Sequence, residues 1–252
     1  SKLKNIELCN GSDRSSPEPQ IRGCTALIDD ARETKLLRSV AYNNRGDAYV
    51  AKGDLDAAIK DYNDAIDLNP DFARPFNNRG VAYHKKGDYD RALKDFDQAI
   101  KLNPDYARAF ANRAETHQMR RDYQAAARDY DSAVRLQPDL MAGWNGRCWT
   151  RAILGELQPA LADCNKALAI KPNDAATLDS RALIYLKMGQ LDSAINDYSS
   201  ALRITPTLAS ALYGRGLARI KKGDSAGGNA DLAAAQKLES KIAEDFSRYG
   251  VR

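Results

Sequence analysis

Histidine, cysteine and long apolar runs are all scarce in this chain, and each scarcity closes off a class of function. The two histidines, His84 and His117, form no metal-spaced pair. The four cysteines contain no Cys-x-x-Cys, which argues against a structural zinc site and against a dithiol redox centre. No nucleophile elbow and no phosphate-cradling loop occurs. No cofactor or metal is therefore expected, and the chain does not read as an enzyme. No stretch approaches the roughly 20 apolar residues that a membrane-spanning helix needs. Charge of one sign is also in short supply. The 38 Lys and Arg against 34 Asp and Glu leave a net charge of +4 over 252 residues. That excess is too small to point to nucleic acid or an anionic membrane. No secretory leader is visible at Ser1, but a processed chain would also lack one.

What is present is a period. Arg45, Arg79, Arg113, Arg147, Arg181 and Arg215 each stand 34 residues after the last. Asp61, Asp95, Asp129, Asp163, Asp197 and Asp231 follow in the same step. A fixed self-similar period of this length signals a repeat solenoid. Six units align without a gap: 39–72, 73–106, 107–140, 141–174, 175–208 and 209–242. Small residues recur in three columns, beginning at Gly46, Ala58 and Ala65, with aromatics such as Tyr42, Tyr49 and Tyr62 between them. Each unit holds two apolar stripes at helical spacing. A Gly-Asp pair or a variant of it lies between the stripes (53–54, 87–88, 155–156, 189–190, 223–224). The glycine suits a left-handed helix end, and the acidic residue suits the next helix start. Pro70, Pro104, Pro138, Pro172 and Pro206 close five units. The spacing predicts antiparallel helix hairpins, with small residues where the two helices approach and large ones filling the remaining space.

On these residues the chain resembles the tetratricopeptide repeat family, whose pattern of aromatic, Leu-Gly, Tyr, Ala, aromatic and Pro is illustrated here by Trp144, Tyr49, Ala58, Tyr62 and Pro70. The resemblance covers residues 39–242. One departure is systematic: arginine takes the place of the family's leucine in every unit, often as Asn-Arg-Gly, a style similar to that of bacterial repeat proteins. The resemblance implies an all-α fold, a right-handed α-solenoid of stacked hairpins whose first helices line a concave groove.

The ends depart from the repeat. Residues 1–38 hold a degenerate unit in which Gln20–Ile28 matches Ala58–Ile66, and this reads as an N-terminal cap. Ser240 replaces the closing proline at the other end. Residues 243–252 then form a C-terminal capping segment, with Ile242 and Phe246 pointing inward. The cysteines fall in two local pairs. Cys148 and Cys164 lie on either side of the turn near Gly155 and replace a small residue and an aromatic that otherwise pack together. Cys24 occupies the same aromatic column, and Cys9 falls within one residue of the small column. Four buried free thiols would fit a core as well. The repeated column relation favours disulfides Cys9–Cys24 and Cys148–Cys164, and with them a periplasmic or secreted protein, the alternative being a cytoplasmic one.

The arginine and aspartate columns read as an ion-pair ladder that fixes hairpin stacking, within one repeat or between repeats, with anion binding as the alternative. In several tetratricopeptide proteins an asparagine beside this position binds the main chain of an extended peptide. The resemblance carries that role to Asn44, Asn78 and Asn112, which should then be unpaired within the protein. Asn43 and Asn77, with Asp47, His84, Lys85, Arg108 and Glu115, complete a polar face. Farther along, Asn145, Trp149, Ile153, Leu183, Leu186, Tyr213 and Leu217 give an apolar one. Asn43 and Ala111 stand where a carboxylate clamp would want charge, so that clamp is not expected. The expected function is a protein–protein interaction scaffold holding a peptide or partner protein in the groove, with Trp149 and Tyr213 as apolar contacts. The alternative is a structural subunit that self-associates through its terminal or convex surfaces, as a homo-oligomer.

Overall fold

A computed structural model describes residues 1–251. Its described residues form fifteen helices and no strand. They fall into two compact units, Ser1–Thr116 and His117–Arg252. The first holds α1 (Lys2–Cys9), α2 (Glu18–Asp29), α3 (Lys35–Lys52), α4 (Leu55–Leu68), α5 (Ala73–Lys85), α6 (Tyr89–Leu102) and most of α7 (Ala107–Met119). The second holds the end of α7, then α8 (Tyr123–Leu136), α9 (Met141–Ile153), α10 (Leu157–Ile170), α11 (Ala175–Lys187), α12 (Leu191–Ile204), α13 (Ala209–Lys221), α14 (Ser225–Leu238) and α15 (Ile242–Arg248). Within each unit, successive hairpins stack as in an α-solenoid.

The small columns set the helix approach. A Cβ added at Gly46 would meet the Tyr62 ring at 2.6 Å, and one at Gly80 would meet Phe96 at 2.6 Å. Ala65, Ala99, Ala133, Ala167, Ala201 and Ala235 are all fully buried. Large rings from the second helix thus fill the notch left by the small residue on the first, the interlocking expected of a close-packed interior.

The turns follow their chemistry. Gly53, Gly87, Gly155, Gly189 and Gly223 all have positive φ, between 75° and 99°. The position equivalent to them in the third repeat is Arg121, which adopts φ 61° without the glycine. Asp54, Asp88, Asp122 and Asp224 cap the following helices through their side chains. Glu156 and Gln190 make no such bond, so the expected acidic start fails in those two repeats. A longer side chain at this position does not turn back onto its own helix as Asp does.

Proline explains where helices begin. The first helices of the later units start at 73, 107, 141, 175 and 209, each just after the proline column. The first unit has Leu36 in that column. With nothing to stop it, α3 extends back to Lys35 and is capped by Thr34, whose hydroxyl accepts from the Leu37 amide at 3.1 Å.

Disulfides join α1 to α2 through Cys9 and Cys24, and α9 to α10 through Cys148 and Cys164, with Cα–Cα separations of 4.6 and 5.3 Å. Each spans a first and a second helix where other repeats pack a small residue against an aromatic.

Candidate functional site

The arginine column sits in the seam. Five arginines form two-pronged pairs with the aspartate sixteen residues later: Arg45–Asp61, Arg79–Asp95, Arg147–Asp163, Arg181–Asp197 and Arg215–Asp231, all with N–O distances of 2.7–3.0 Å. In all six arginines Nη1 reaches back into the preceding hairpin, twenty residues from Arg45 and sixteen from the others. Its acceptors are Thr25, Asn63, Asp97, Asp131, Asn165 and Ser199. Each guanidinium of the first four repeats also lies over the aromatic three residues before it, on Tyr42, Phe76, Phe110 and Trp144. Arginine in the family's leucine position therefore keeps an apolar stem in the packing while its fork ties two hairpins together.

The asparagines also tie hairpins together, which corrects the expectation that they stand unpaired. Asn43 is fully buried and Asn77 nearly so, so neither offers a surface to a ligand. Asn78 Nδ2 donates to Asn43 Oδ1 at 3.0 Å and to Asp47 Oδ1 at 3.0 Å. Asn112 Nδ2 donates to Asn77 Oδ1 at 2.9 Å, and Asn44 Nδ2 donates to Asn10 Oδ1 at 3.3 Å. Asn43 and Asn77 in turn donate to the adjacent Asn44 and Asn78. The physical reason is spacing: residues about one repeat apart face each other across stacked first helices, so a carboxamide column satisfies itself.

What stays open on this face of unit 1 is a cleft of about 470 Å³ lined by Val81, His84, Lys85, Asn112 and Glu115, with the fully buried Phe96 beneath. Thr116 orients the histidine. Its hydroxyl donates to the Asn112 carbonyl at 3.0 Å and lies 2.9 Å from His84 Nδ1. The threonine proton being spent on that carbonyl, its oxygen accepts from Nδ1. Nε2 stands 4.0 Å from Glu115. Lys85, Arg108 and Glu115 are exposed. Asp47 lies on the same first-helix face and receives the Tyr62 hydroxyl at 2.6 Å.

Unit 2 presents a different face. Trp149, Ile153, Leu183, Leu186, Tyr213 and Leu217 supply the expected apolar surface, but the chain itself covers it. Phe246 of α15 packs on Tyr213 with ring centroids 4.8 Å apart, and Tyr249 meets Trp149 edge-on at 5.3 Å. Phe246 and Val251 are 2% and 6% exposed and belong to one cluster with Leu183 and Leu186. The expectation that Trp149 and Tyr213 lie open is thus corrected: residues past Ser240 fold across the first helices instead of continuing the stack. Beneath them, Asp179 accepts from Ser210 at 2.6 Å, and burial pushes its carboxyl up to about 6. The Tyr198 hydroxyl is buried without a partner among the described residues. Its ring fills the space left by Gly214. Sequence reasoning did not single out Asp179, Ser210 or Tyr249. The available signal was the break of the asparagine column at Gly146, Ser180 and Gly214.

Among the described residues no helix is long and apolar enough to cross a membrane, and no group of His, Cys, Asp and Glu could hold a metal.

Family comparisons agree with this geometry. Sequence profiles of the tetratricopeptide repeat match residues 46–87, 73–106, 113–175 and 182–223, and the chain belongs to that family. No curated protein matches it by sequence. Among solved structures, the APC/C hetero-tetramer Cut9–Hcn1 superimposes with a TM-score of 0.77 at 15% identity over 98% of this chain, which spans only 51% of that one. A tetratricopeptide repeat protein from Parabacteroides merdae gives 0.69 at 19% identity, covering 98% of this chain and 99% of that one. YrrB, described as a TPR protein with an unusual peptide-binding site, gives 0.56 at 20% identity over 74% of this chain and 97% of its own. These likenesses show a shared all-α fold.

Proposed function

We propose that the chain is a non-enzymatic interaction scaffold and that the first-helix face of unit 1 holds an extended segment of a partner protein. The observation that carries this is the open cleft of Val81, His84, Lys85, Asn112 and Glu115. It combines the apolar Val81 with a fixed imidazole, a cation and a carboxylate, the mixture that orients a peptide rather than merely burying it. Because the Nδ2 donors of Asn78 and Asn112 are spent on neighbouring repeats, main-chain N–H groups of the partner would meet acceptors here. Membership in the family, and YrrB's described peptide-binding site, are consistent with this reading. The two disulfides support an oxidising compartment, the periplasm or the exterior.

The test is a displayed-peptide selection against the full chain. An enriched peptide family should lose about tenfold or more in affinity on Glu115→Ala or Lys85→Ala, equivalent to roughly 1.4 kcal/mol. It should be indifferent to Lys166→Ala on the exposed side of α10. Peptides that ignore both inner substitutions would place the contact surface elsewhere.

One observation favours self-association as the second reading. Ile170, Ile204 and Leu238, one per repeat at the ends of α10, α12 and α14, are 44%, 46% and 48% exposed. Light scattering that finds a dimer, abolished by Ile204→Ser, would support it.

A further inference from the structure

The segment that covers the first-helix face of unit 2 is not placed like another helix of the stack. A stacked helix after α14 would touch only α13 and α14, its nearest neighbours in the solenoid. Instead Phe246 meets Tyr213 on α13, Gly250 approaches Lys187 on α11, and Tyr249 meets Trp149 on α9. The segment therefore crosses three first helices, as a bound ligand would. Gly250, at φ 81°, ends α15 and turns the chain so that the Val251 amide bonds to the Phe246 carbonyl at 3.0 Å and the valine side chain tucks under.

Besides those side chains, Ile242, 3% exposed and in the same cluster, anchors the start of the segment. α15 is seven residues long, and no side chain caps its start. An isolated helix of that length is not stable in water. Ser240 stands where five other repeats have proline, so the turn after α14 keeps its Ile242 amide to Glu239 carbonyl bond at 3.2 Å but lacks the proline's restraint on the backbone. The surface beneath is built to receive apolar groups. Were the segment absent, Trp149, Ile153, Leu183, Leu186, Tyr213 and Leu217 would form one contiguous apolar patch, and such patches on soluble proteins mark interaction sites.

We propose that this face of unit 2 is a docking site for a short helical segment of pattern aromatic-x-x-aromatic-x-aliphatic, occupied in cis by Phe246, Tyr249 and Val251, and that a partner protein bearing the same pattern takes the site by displacing it. The cis segment is the ligand's template. It states the chemistry (two rings one helical turn apart, then a β-branched residue) and the pockets that read it. Binding in trans is weakened by the fraction of time the site is occupied in cis. The site is closed to weak or non-matching segments and opens to a matching one. The inference is independent of the proposed role of unit 1, since every residue it uses lies in unit 2.

The test uses the full chain and a labelled synthetic peptide of residues 240–251. Phe246→Ala/Tyr249→Ala empties the site. That variant should bind the peptide saturably by fluorescence anisotropy. The wild-type chain should bind it about tenfold more weakly or worse. Adding Trp149→Ala to the emptied chain should abolish binding, and a peptide with both rings replaced by alanine should not bind at all. Short peptides selected by display against the emptied chain should carry the aromatic-x-x-aromatic pattern. Equal binding to wild-type and emptied chains, or no binding to a folded emptied chain, overturns the proposal. If the emptied chain fails to fold, hydrogen exchange on the wild type decides. Amides of 242–251 should open in a separate, faster event than those of α13 and α14, and exchange in one event with α13 would make the segment part of the fold and overturn the proposal. A wild-type dimer whose labelled C-terminal segments exchange between copies would assign the site to a second copy and also overturn it.

Discussion

Replacing Arg79 with alanine tests the seam. Arg79 donates through Nη2 to Asp95 Oδ1 at 2.7 Å and through Nε to Oδ2 at 2.9 Å, while Nη1 reaches Asn63 in the preceding hairpin at 2.7 Å. The Asp95 side chain is 8% exposed and the Arg79 side chain 20%. Burial raises the Asp95 carboxyl above its ordinary value even with the guanidinium beside it. Arg79→Ala leaves that carboxylate without its partner. Breaking a buried pair from one side costs roughly 3–5 kcal/mol. Asp95 retains slight contact with water and can take up a proton, so the lower end applies, about 3 kcal/mol.

Arg79→Leu/Asp95→Leu restores the residue most tetratricopeptide repeats carry at the first position and removes both charges. It should fall within about 1 kcal/mol of the parent, because the desolvation penalty disappears with the attraction. With Arg79→Leu and Asp95→Leu as the single variants, the coupling in the double-mutant cycle should then be about 2 kcal/mol or more. Urea denaturation followed by far-ultraviolet circular dichroism measures each variant. Lys60→Ala, which loses only a surface pair with Asp64 across one turn of α4, serves as control and should change stability by less than about 0.5 kcal/mol. If Arg79→Ala behaves like Lys60→Ala, the ladder is an ordinary set of surface pairs and its role in stacking hairpins is refuted.

Three further outcomes are expected. Arg121→Gly should raise stability by about 1 kcal/mol, since it relieves a left-handed backbone that five other repeats assign to glycine; a loss on thermal melting would refute the strain. Reducing the Cys148–Cys164 bridge, or replacing both cysteines with serine, should cost about 3 kcal/mol, as expected for a loop of some fifteen residues; non-reducing mass spectrometry that finds four alkylatable thiols in the native protein would remove both the bridge and the oxidising compartment. Burial raises Asp179 from its ordinary 3.8 to about 6, so the folded chain binds a proton that the unfolded chain releases. That stability is fully present below about pH 4 and is lost as pH rises through about 6. Asp179→Asn should therefore stabilise the chain near neutral pH and make little difference in acid, and urea melts at both conditions would show it.

The fold was legible because its determinants are local and repeated. Gly46 against Tyr62, Gly53 with Asp54, and Pro70 recur in register, so one unit read correctly reads them all. Departures came where a column changed. Leu36 lacks the proline, and α3 runs back to Lys35. Glu156 and Gln190 lack the short aspartate side chain, and the cap bond is absent. The asparagines were harder. Their column shows a polar face but not whether its carboxamides meet a ligand or each other, because a step of one repeat brings Asn78 to Asn43 in space and no spacing rule within a single helix reveals it. The course of residues 242–251 was least legible. Ile242 and Phe246 point inward whether the segment caps the last hairpin or crosses three first helices.

The same column that stitches unit 1 together makes room in unit 2. Asn44, Asn78 and Asn112 bond to other residues of the first-helix face and hold it polar. At Gly146 and Gly214 the side chain is missing, and Tyr130 and Tyr198 fill the vacated space from the second helices. Glycine offers nothing to bond at those two places, and between them one link remains, the Ser180 hydroxyl donating to Asn145 Oδ1 at 3.3 Å. With the network reduced to that single link, the neighbouring positions on the same face, Trp149 and Leu183, are free to be apolar, and a surface of that kind is covered by something. The change of one column from asparagine to Gly146, Ser180 and Gly214 therefore separates a polar face that stays open from an apolar one that takes a helix. Gly214→Asn should test that dependence: the new side chain would collide with the Tyr198 ring, whose oxygen lies 2.3 Å from where its Cβ would stand. The displaced ring should disturb the face beneath Tyr213 and Phe246. Faster hydrogen exchange of residues 242–251 with unit 1 unchanged is the expected result. Unchanged exchange there would show that the segment does not depend on the glycine break.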